Sequence, residues 1–313
     1  MKVVSIVHSP RLSPLRYPGG KQLLAPYIAG VIEENFLTGC EFFEPFAGGA
    51  AVSLELIRLG YIERALLIER DPLVYTFWWS VCNEMDGLQS EVAKLAISLG
   101  TWKIIEPLRS VDVPTTDKRT LLKLGIAGLF LNRTNFSGVI GAGPIGGMSQ
   151  SSKYKIDCRF NKQAILTTLE ALRAITTKLR VKFGDALYWL SGSKNKLPTR
   201  PCFVYVDPPY YGQGRKLYRH SFTDTQHQKL ASILRSAAFP WLASYDDAPF
   251  IRNLYKGSVM QPIFMDHRVK SSRLAQEVAI SNLEIPPPIY EGFSTADLSK
   301  SLEDIDIDSR EKV

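Results

Sequence analysis

The sequence predicts an α/β protein of the doubly wound kind, interrupted by an inserted and mainly helical block. Short apolar segments each run into a glycine, acidic or proline turn, and stretches with apolar residues at helical spacing lie between them. From about Thr76 to Asp157 that alternation stops.

Taken in order, Glu41–Phe46 (Glu-Phe-Phe-Glu-Pro-Phe) reads as a short buried strand entering the glycine turn Ala47-Gly48-Gly49-Ala50. Ala51–Leu59 follows as a helix ended by Gly60, and Ala65–Ile68 as a second strand ending in Glu69-Arg70-Asp71. Together they form a strand–turn–helix–strand unit. In the inserted block Phe77–Leu99 reads as helical, Thr101–Asp117 as irregular and Lys118–Leu131 as helical again. A glycine-rich stretch, Asn132–Gly147, and a polar loop, Met148–Lys155, come next. Helical spacing resumes over Lys162–Leu179. Val181–Phe183 and Cys202–Val206 read as strands, and Asp224–Ala237, Trp241–Tyr245 and Glu277–Ser281 continue the alternation. The expected organisation is a discontinuous core of residues 1–75 and 158–285, an insert of residues 76–157, and an acidic, disordered or loosely docked tail of residues 286–313.

The 313 residues leave room for one large domain and a smaller one. No apolar run approaches the ~18–20 residues of a membrane span, and the first twelve residues lack the pattern of a secretory signal. Cys40, Cys82, Cys158 and Cys202 are scattered, as are His8, His220, His227 and His267, so neither a disulfide framework nor a metal site is expected. A reducing cytoplasm suits that usage. The net charge of +7 conceals an asymmetry: the tail holds seven acids and three bases, leaving 35 bases against 24 acids, or +11, on the rest. A basic body suits a polyanionic partner.

The most specific chemical signal is Asp207-Pro208-Pro209-Tyr210, directly after the apolar strand Phe203–Val206. An aromatic amine is a poor nucleophile because its lone pair is delocalised into the ring. Activating it takes acceptors for both amino hydrogens. The Asp207 carboxylate and the Pro208 carbonyl supply two, the paired prolines stiffen the turn, and Tyr210 offers a flat face for a base. The bland reading is a rigid surface turn with a packed tyrosine. The second signal, Phe43–Gly49, lets backbone approach a ligand closely just ahead of a helix start. It is not the G-x-G-x-x-G pattern of a dinucleotide site, which disfavours a nicotinamide cofactor. Glu69, some twenty residues on, is placed to accept from ribose hydroxyls, with Asp71 as a close competitor. Arg16–Lys21 forms a tight glycine loop with a cation at its edge. Asp185, after Phe183-Gly184, is a further acceptor at a strand end.

Tyr17–Lys21, Phe43–Gly49, Glu69, Asp185 and Asp207–Tyr210 occur in the order found in Dam-like adenine-specific DNA methyltransferases, which this chain resembles in patches over roughly residues 13–283. Ser221–Thr223, His227, Leu230, Ser244–Ile251 and Glu277–Asn282 extend the likeness. The resemblance implies a Rossmann-like S-adenosylmethionine-dependent methyltransferase core with an inserted, mainly helical DNA-recognition domain, and a flipped adenine in double-stranded DNA as acceptor. By carry-over, Tyr17, Lys21, Glu44, Pro45, Phe46, Gly48 and Gly49 line the methionine end of S-adenosylmethionine, Glu69 holds its ribose and Asp185 its adenine. Asp207 stands between donor and target, with Pro208, Pro209 and Tyr210 completing the catalytic turn.

Within the insert the likeness is best at Leu131–Gly138, which in the family leads into a hairpin that enters DNA. Relatives recognising GATC continue with an Asn-Gly pair and a nearby arginine. Here Ser137 replaces the Asn and Val139-Ile140-Gly141 carries no charge, so the GATC target does not carry over. Arg133, Asn135, Phe136, Ser137, Lys153 and Lys155 are candidate DNA contacts, and Arg159 is a further phosphate or base contact. Arg215, Lys216 and Arg219, in the loop after the catalytic turn, are placed to track phosphates. A cognate restriction endonuclease acting on the same site is a partner the resemblance admits. An RNA adenine methyltransferase and a non-catalytic DNA-binding protein with a relic methyltransferase fold remain alternatives.

Overall fold

The computed structural model describes residues 12–16, 21–112, 116–192, 201–212, 221–265 and 275–287. A seven-stranded sheet forms the centre: β1 (Cys40–Glu44), β2 (Ile62–Glu69), β3 (Leu179–Phe183), β4 (Cys202–Val206), β5 (Trp241–Asp246), β6 (Val259–Met265) and β7 (Ala275–Ser281). Their spatial order is β3-β2-β1-β4-β5-β7-β6. The five strands from β3 to β5 run parallel, and β7 enters antiparallel between β5 and β6. All five residues of β4 are buried, as a parallel strand covered on both faces requires. Strand order reverses between β1 and β4, and at such a switch point the carboxyl ends of an open α/β sheet form a ligand crevice.

Helices cover both faces. On one side α1 (Ala25–Glu34), α2 (Ala51–Leu59), α3 (Pro72–Asn83), α6 (Lys118–Thr134) and α7 (Lys162–Arg173) share a continuous apolar core with the sheet. On the other, α8 (Ala186–Ser191), α9 (Asp224–Arg235) and a short helix, Pro249–Leu254, bury Leu187, Leu230, Leu234 and Ile251 against Val204, Val206 and Tyr245. The α/β class and the strands at residues 41–46, 65–68, 181–183, 202–206, 241–245 and 277–281 are all found.

Residues 76–157, expected to form an insert, differ in detail from the expectation, and α3 (Pro72–Asn83) runs across the expected boundary. Instead of one helix over Phe77–Leu99 the chain forms α3 and then α4 (Met85–Lys94), broken at Glu84 with φ −138°. Helix α3 begins five residues earlier than its apolar spacing suggests, because Asp71 caps it through the Leu73 and Val74 amides and Pro72 occupies the first turn. The stretch 101–117 is not wholly irregular. Ser98 accepts from the Thr101 amide at 3.1 Å and starts α5 (Leu99–Ile105). Helix α6 lies directly on α3 because Gly125 and Gly128 remove the side chains between them. A β-carbon at Gly125 would stand 2.6 Å from the Thr76 carbonyl oxygen, and one at Gly128 would strike that of Leu73. Strand β6 has no counterpart in the sequence reading. It contains Pro262, which argues against a strand except at a sheet edge, and the edge is where β6 lies. Among the described residues no helix is long and apolar enough to cross a membrane.

Candidate active site

Four strand ends place acids along one edge of the sheet: Glu44 on β1, Glu69 on β2, Asp207 after β4 and Asp246 on β5. Glu44 is buried, and its Oε2 accepts from the Ser53 hydroxyl in the first turn of α2 and from the Ser53 amide at 3.4 Å. Burial pushes its carboxyl up to about 8, helped by repulsion from Asp207 and Glu69. Glu69 is pushed up to about 7, again chiefly by burial. Its Oε2 accepts from the Gly48 amide at 2.8 Å and its Oε1 from the Asp71 amide at 2.7 Å. The carboxylate, which also accepts from the Arg70 amide, therefore ties the glycine turn to the end of β2 and keeps one lone pair uncommitted. Asp71, the competitor for that role, is committed to capping α3. The turn itself is rigid: Gly48 has φ +45°, its carbonyl accepts from Trp78 Nε1 at 2.8 Å, and the Gly49 carbonyl accepts from Ser13 at 2.6 Å. Neither Trp78 nor Ser13 carried a signal in the sequence.

The Asp207–Tyr210 turn adjoins that cluster. Pro208 and Pro209 are buried, while Asp207 and Tyr210 are half-buried. Asp207 Oδ1 accepts from the Ser244 hydroxyl at 2.8 Å, and Ser244 in turn shares a 2.8 Å hydrogen bond with the Tyr205 phenol. Burial raises the Asp207 carboxyl to about 6, with the Lys21 cation pulling down and Glu277 pushing up. Lys21 Nζ, itself buried, lies 3.6 Å from Asp207 Oδ1 and donates to both oxygens of Glu277, at 2.7 and 2.8 Å, and to the Tyr210 hydroxyl. The Tyr210 hydroxyl in turn donates to Glu277 Oε1 at 2.9 Å. The carboxylate of Asp246 accepts from the Tyr211 and Gly212 amides, each at 2.8 Å, which fixes the backbone leaving the turn. Tyr211 stacks on Phe250 with ring centres 4.7 Å apart.

Asp185 stands at the end of β3 as the cap of α8, its Oδ1 accepting from the Leu187 and Tyr188 amides and its Oδ2 meeting Arg70 at 3.0 Å. Pro45 is buried and Phe46 half-buried, the latter set edge-on to Phe222 at 5.5 Å. Tyr17 lies outside the described residues, as do Arg215, Lys216 and Arg219.

In the insert, Arg133 Nε donates to the Pro14 carbonyl at 2.6 Å. Asn135 is fully buried, accepting from Trp102 Nε1 at 2.7 Å and donating to the Ile140 carbonyl at 2.8 Å. The tip beyond it is exposed: Phe136 keeps 70 % of its surface, and Ser137 turns the chain at φ +55°. Lys153 and Lys155 are exposed, and Lys155 also donates to the Gln150 carbonyl. The structure thus brings Glu44, Glu69, Lys21 and Asp207–Tyr210 together, while Arg133 meets the Pro14 carbonyl, next in the chain to the Ser13 that holds Gly49. Glu277, Ser244 and Asp246, to which the sequence reading gave no role, join the site. A lone acid opening the apolar run Val278-Ala279-Ile280 was the available sign of the first.

The arrangement offers buried acceptors for a cationic, hydroxyl-bearing ligand beside a rigid turn with an acceptor and an aromatic ring. A family model describing D12 class N6 adenine-specific DNA methyltransferases matches residues 17–271. No curated protein matches the chain. Among solved structures, the rRNA methyltransferase aviRa from Streptomyces viridochromogenes is similar at 11 % identity and a TM-score of 0.42, covering 88 % of this chain and 93 % of that one. TrmK from M. capricolum, solved with S-adenosyl-homocysteine, is similar at 9 % identity and a TM-score of 0.32, covering 84 % and 71 %. At scores this low the fold rests on the sheet's own strand order.

Proposed function

The chain belongs to the D12 class N6 adenine-specific DNA methyltransferase family, and from that premise we propose that it methylates the exocyclic amino group of an adenine flipped out of double-stranded DNA, with Asp207–Tyr210 as the reacting turn. The enzyme is S-adenosylmethionine-dependent, and the bound donor supplies a methyl group made electrophilic by the sulfonium. The acid-lined edge fits that donor: Glu44 and Glu69 are buried and Asp207 half-buried, and all three have raised carboxyls whose ionisation a cationic ligand favours. In this reading the Glu44–Gly49 turn, with Tyr17 and Lys21 beside it, lines the methionine end. Glu69 takes a ribose hydroxyl on its remaining lone pair, and Asp185 faces the cofactor's adenine.

The observation that carries the proposal is the way Asp207 is held. Among the described residues its polar contacts, Ser244 and Lys21, both fall on Oδ1. That leaves Oδ2 to accept one amino hydrogen of the target, with the Pro208 carbonyl accepting the other. The two acceptors direct the nitrogen lone pair at the methyl group, and the Tyr210 ring, fixed through its phenol, takes the base on its face. Asp207 need not be a strong base, because the amine becomes acidic as the new N–C bond forms and then yields its proton. Flipping costs a few kcal/mol, by general precedent about what unstacking one base requires. We assign the insert, residues 76–157, to DNA engagement, with Phe136 and Ser137 at its tip and Lys153 toward phosphate. The segment holding Arg215, Lys216 and Arg219 is assigned to the backbone beside the flipped base.

The test is methyl transfer from labelled donor to duplex DNA and duplex RNA by the native chain and by Asp207→Ala. Adenine labelling in DNA that is lost in the variant, with DNA binding kept, is expected. Labelling of RNA alone, or robust transfer by Asp207→Ala, removes the proposal.

A further inference from the structure

We propose that Glu277 is a positioning residue for methyl transfer: by holding the Lys21 ammonium and the Tyr210 phenol, it keeps the buried cation from closing on Asp207 and leaves that carboxylate able to accept from the substrate amine. The proposal rests on the reading of Asp207–Tyr210 given above.

Lys21 and Glu277 are 3 % and 2 % exposed, so neither charge can be met by water. A buried ammonium needs acceptors for three N–H groups. Lys21 finds them in Glu277 Oε1 at 2.7 Å, Glu277 Oε2 at 2.8 Å and the Tyr210 hydroxyl. Asp207, the other acid within reach, stands off at 3.6 Å. Two carboxylates thus compete for one cation, and Glu277 takes it with both oxygens. Were Lys21 to close on Asp207 instead, the acceptor needed by the substrate would be spent on an internal ion pair. Glu277 also accepts from the Tyr210 hydroxyl at 2.9 Å, which sets the tilt of the ring, while Lys21 Nζ lies 4.6 Å from that ring's centre. Strand β7 delivers Glu277 to this place because its residue pairs with Asp246 across the β5–β7 ladder, directly behind the catalytic turn.

Removing the Glu277 charge has two readouts. Lys21 closes on Asp207, so transfer falls, and by general precedent the cost is about 10²-fold in kcat, as for a reacting group displaced by an ångström. Asp207 also gains a nearer cation and loses a repelling neighbour, so it stays ionised to lower pH. The groups that face Asp207 are Lys21, Glu277, Glu44, Tyr205, Tyr210, Ser244 and Tyr245. Of these only Glu277 is altered in Glu277→Gln, so the acid limb of the kcat–pH profile is expected to move down in pH. A packing role for Glu277 moves no such limb.

The experiment measures kcat, KM for DNA and the pH profile for the native enzyme, Glu277→Gln, Glu277→Asp and Asp207→Asn. Expected are a large loss of kcat with little change in KM and a lowered acid limb in Glu277→Gln, with a partial recovery, short of native kcat, in Glu277→Asp, which keeps the charge on a shorter arm. Native kcat and an unmoved limb in Glu277→Gln, with Asp207→Asn inactive, overturn the proposal and leave the site reading intact. Full activity in Asp207→Asn sinks the site reading itself. Should Glu277→Gln not fold, Glu277→Asp carries the test: kcat lowered at unchanged KM supports the proposal, and native kcat overturns it.

Discussion

The carboxyl edge of the sheet and the loop tip at Phe136 both depend on buried polar side chains, but those side chains end in different places. Around Asp207 they end on one another: Lys21 on Glu277 and Tyr210, Ser244 on Asp207 and Tyr205, Ser53 on Glu44. Around Phe136 they end mainly on backbone. Asn132 donates to the Arg16 and Gly138 carbonyls at 2.9 Å each, Asn135 to Ile140, Arg133 to Pro14, and the Phe136 amide to the Gly143 carbonyl at 3.0 Å. The first pattern fixes functional groups, as a reaction demands. The second fixes the trace of a loop and leaves its outermost side chains uncommitted, as a surface that must meet a partner demands. Substitutions at the edge should therefore act on chemistry, and those at the tip on binding.

The largest effect that tests this division is at Asp207. Asp207→Asn keeps the size of the side chain but loses the carboxylate, and transfer is expected to fall by about 10²–10⁴-fold, the range of a positioned acid–base group. DNA binding by mobility shift should hold. A loss of DNA affinity as large as the loss of transfer would erase the contrast between the regions.

Proton linkage sharpens it next. Glu44 titrates near 8 in the fold against an ordinary value of 4.5, so the folded protein binds a proton there that the unfolded chain releases. The stability this supplies is complete below about 4.5 and is lost as pH rises toward 8. Glu44→Gln, which can still accept from Ser53, should flatten that slope in thermal melts. A cationic donor lowers the Glu44 value, so its binding near neutral pH should release protons, seen as a binding enthalpy that changes with the buffer's ionisation heat. Phe136 and Ser137 have no group that titrates in this range, so substitutions there should leave the slope alone.

Asn135→Ala probes the tip from beneath. It strands the Trp102 indole N–H, and a buried donor without a partner costs about 1–3 kcal/mol. A lowered melting midpoint and weaker DNA binding should appear together, with kcat at saturating DNA close to native. Phe136→Ala should leave stability alone, since the residue is already 70 % exposed. The melt stays put while affinity for duplex DNA falls by about 1–3 kcal/mol, what one base–aromatic stack is worth.

The same difference explains what the sequence discloses. Asp207–Tyr210, the 43–49 turn and Glu69 are legible because each chemistry sits in consecutive residues at a strand end, where local pattern and function coincide. Glu277, Ser244 and Asp246 make their hydrogen bonds in the site to partners 34 or more residues away along the chain, and no local pattern records such a pairing. Asn135 is the instructive case. As a polar residue in a glycine-rich stretch it reads as a surface contact, yet the fold turns it inward as the pin of the loop, and only the neighbouring Phe136 and Ser137 face out. Strand β6 was hidden for a related reason: Pro262 is tolerated by an edge that the sequence does not announce.

The smallest effect separates two lysines that look alike in sequence. Lys153 is exposed, 6.0 Å from the centre of the Tyr154 ring, whereas Lys155 returns to the Gln150 carbonyl and so helps hold its own loop. If the tip leaves its outer charges to a polyanion, Lys153→Ala removes one phosphate contact and, within the loop, only its approach to the Tyr154 ring. The slope of log K against log salt should then shrink by about one, with kcat and melting midpoint unmoved. Lys155→Ala removes a charge and a loop tether together, so its salt slope should fall by a similar amount while its affinity falls further than the charge alone explains. Equal affinity losses in the two variants would mean that the Lys155 tether does not organise the loop. An unchanged salt slope in Lys153→Ala would take that residue off the DNA face.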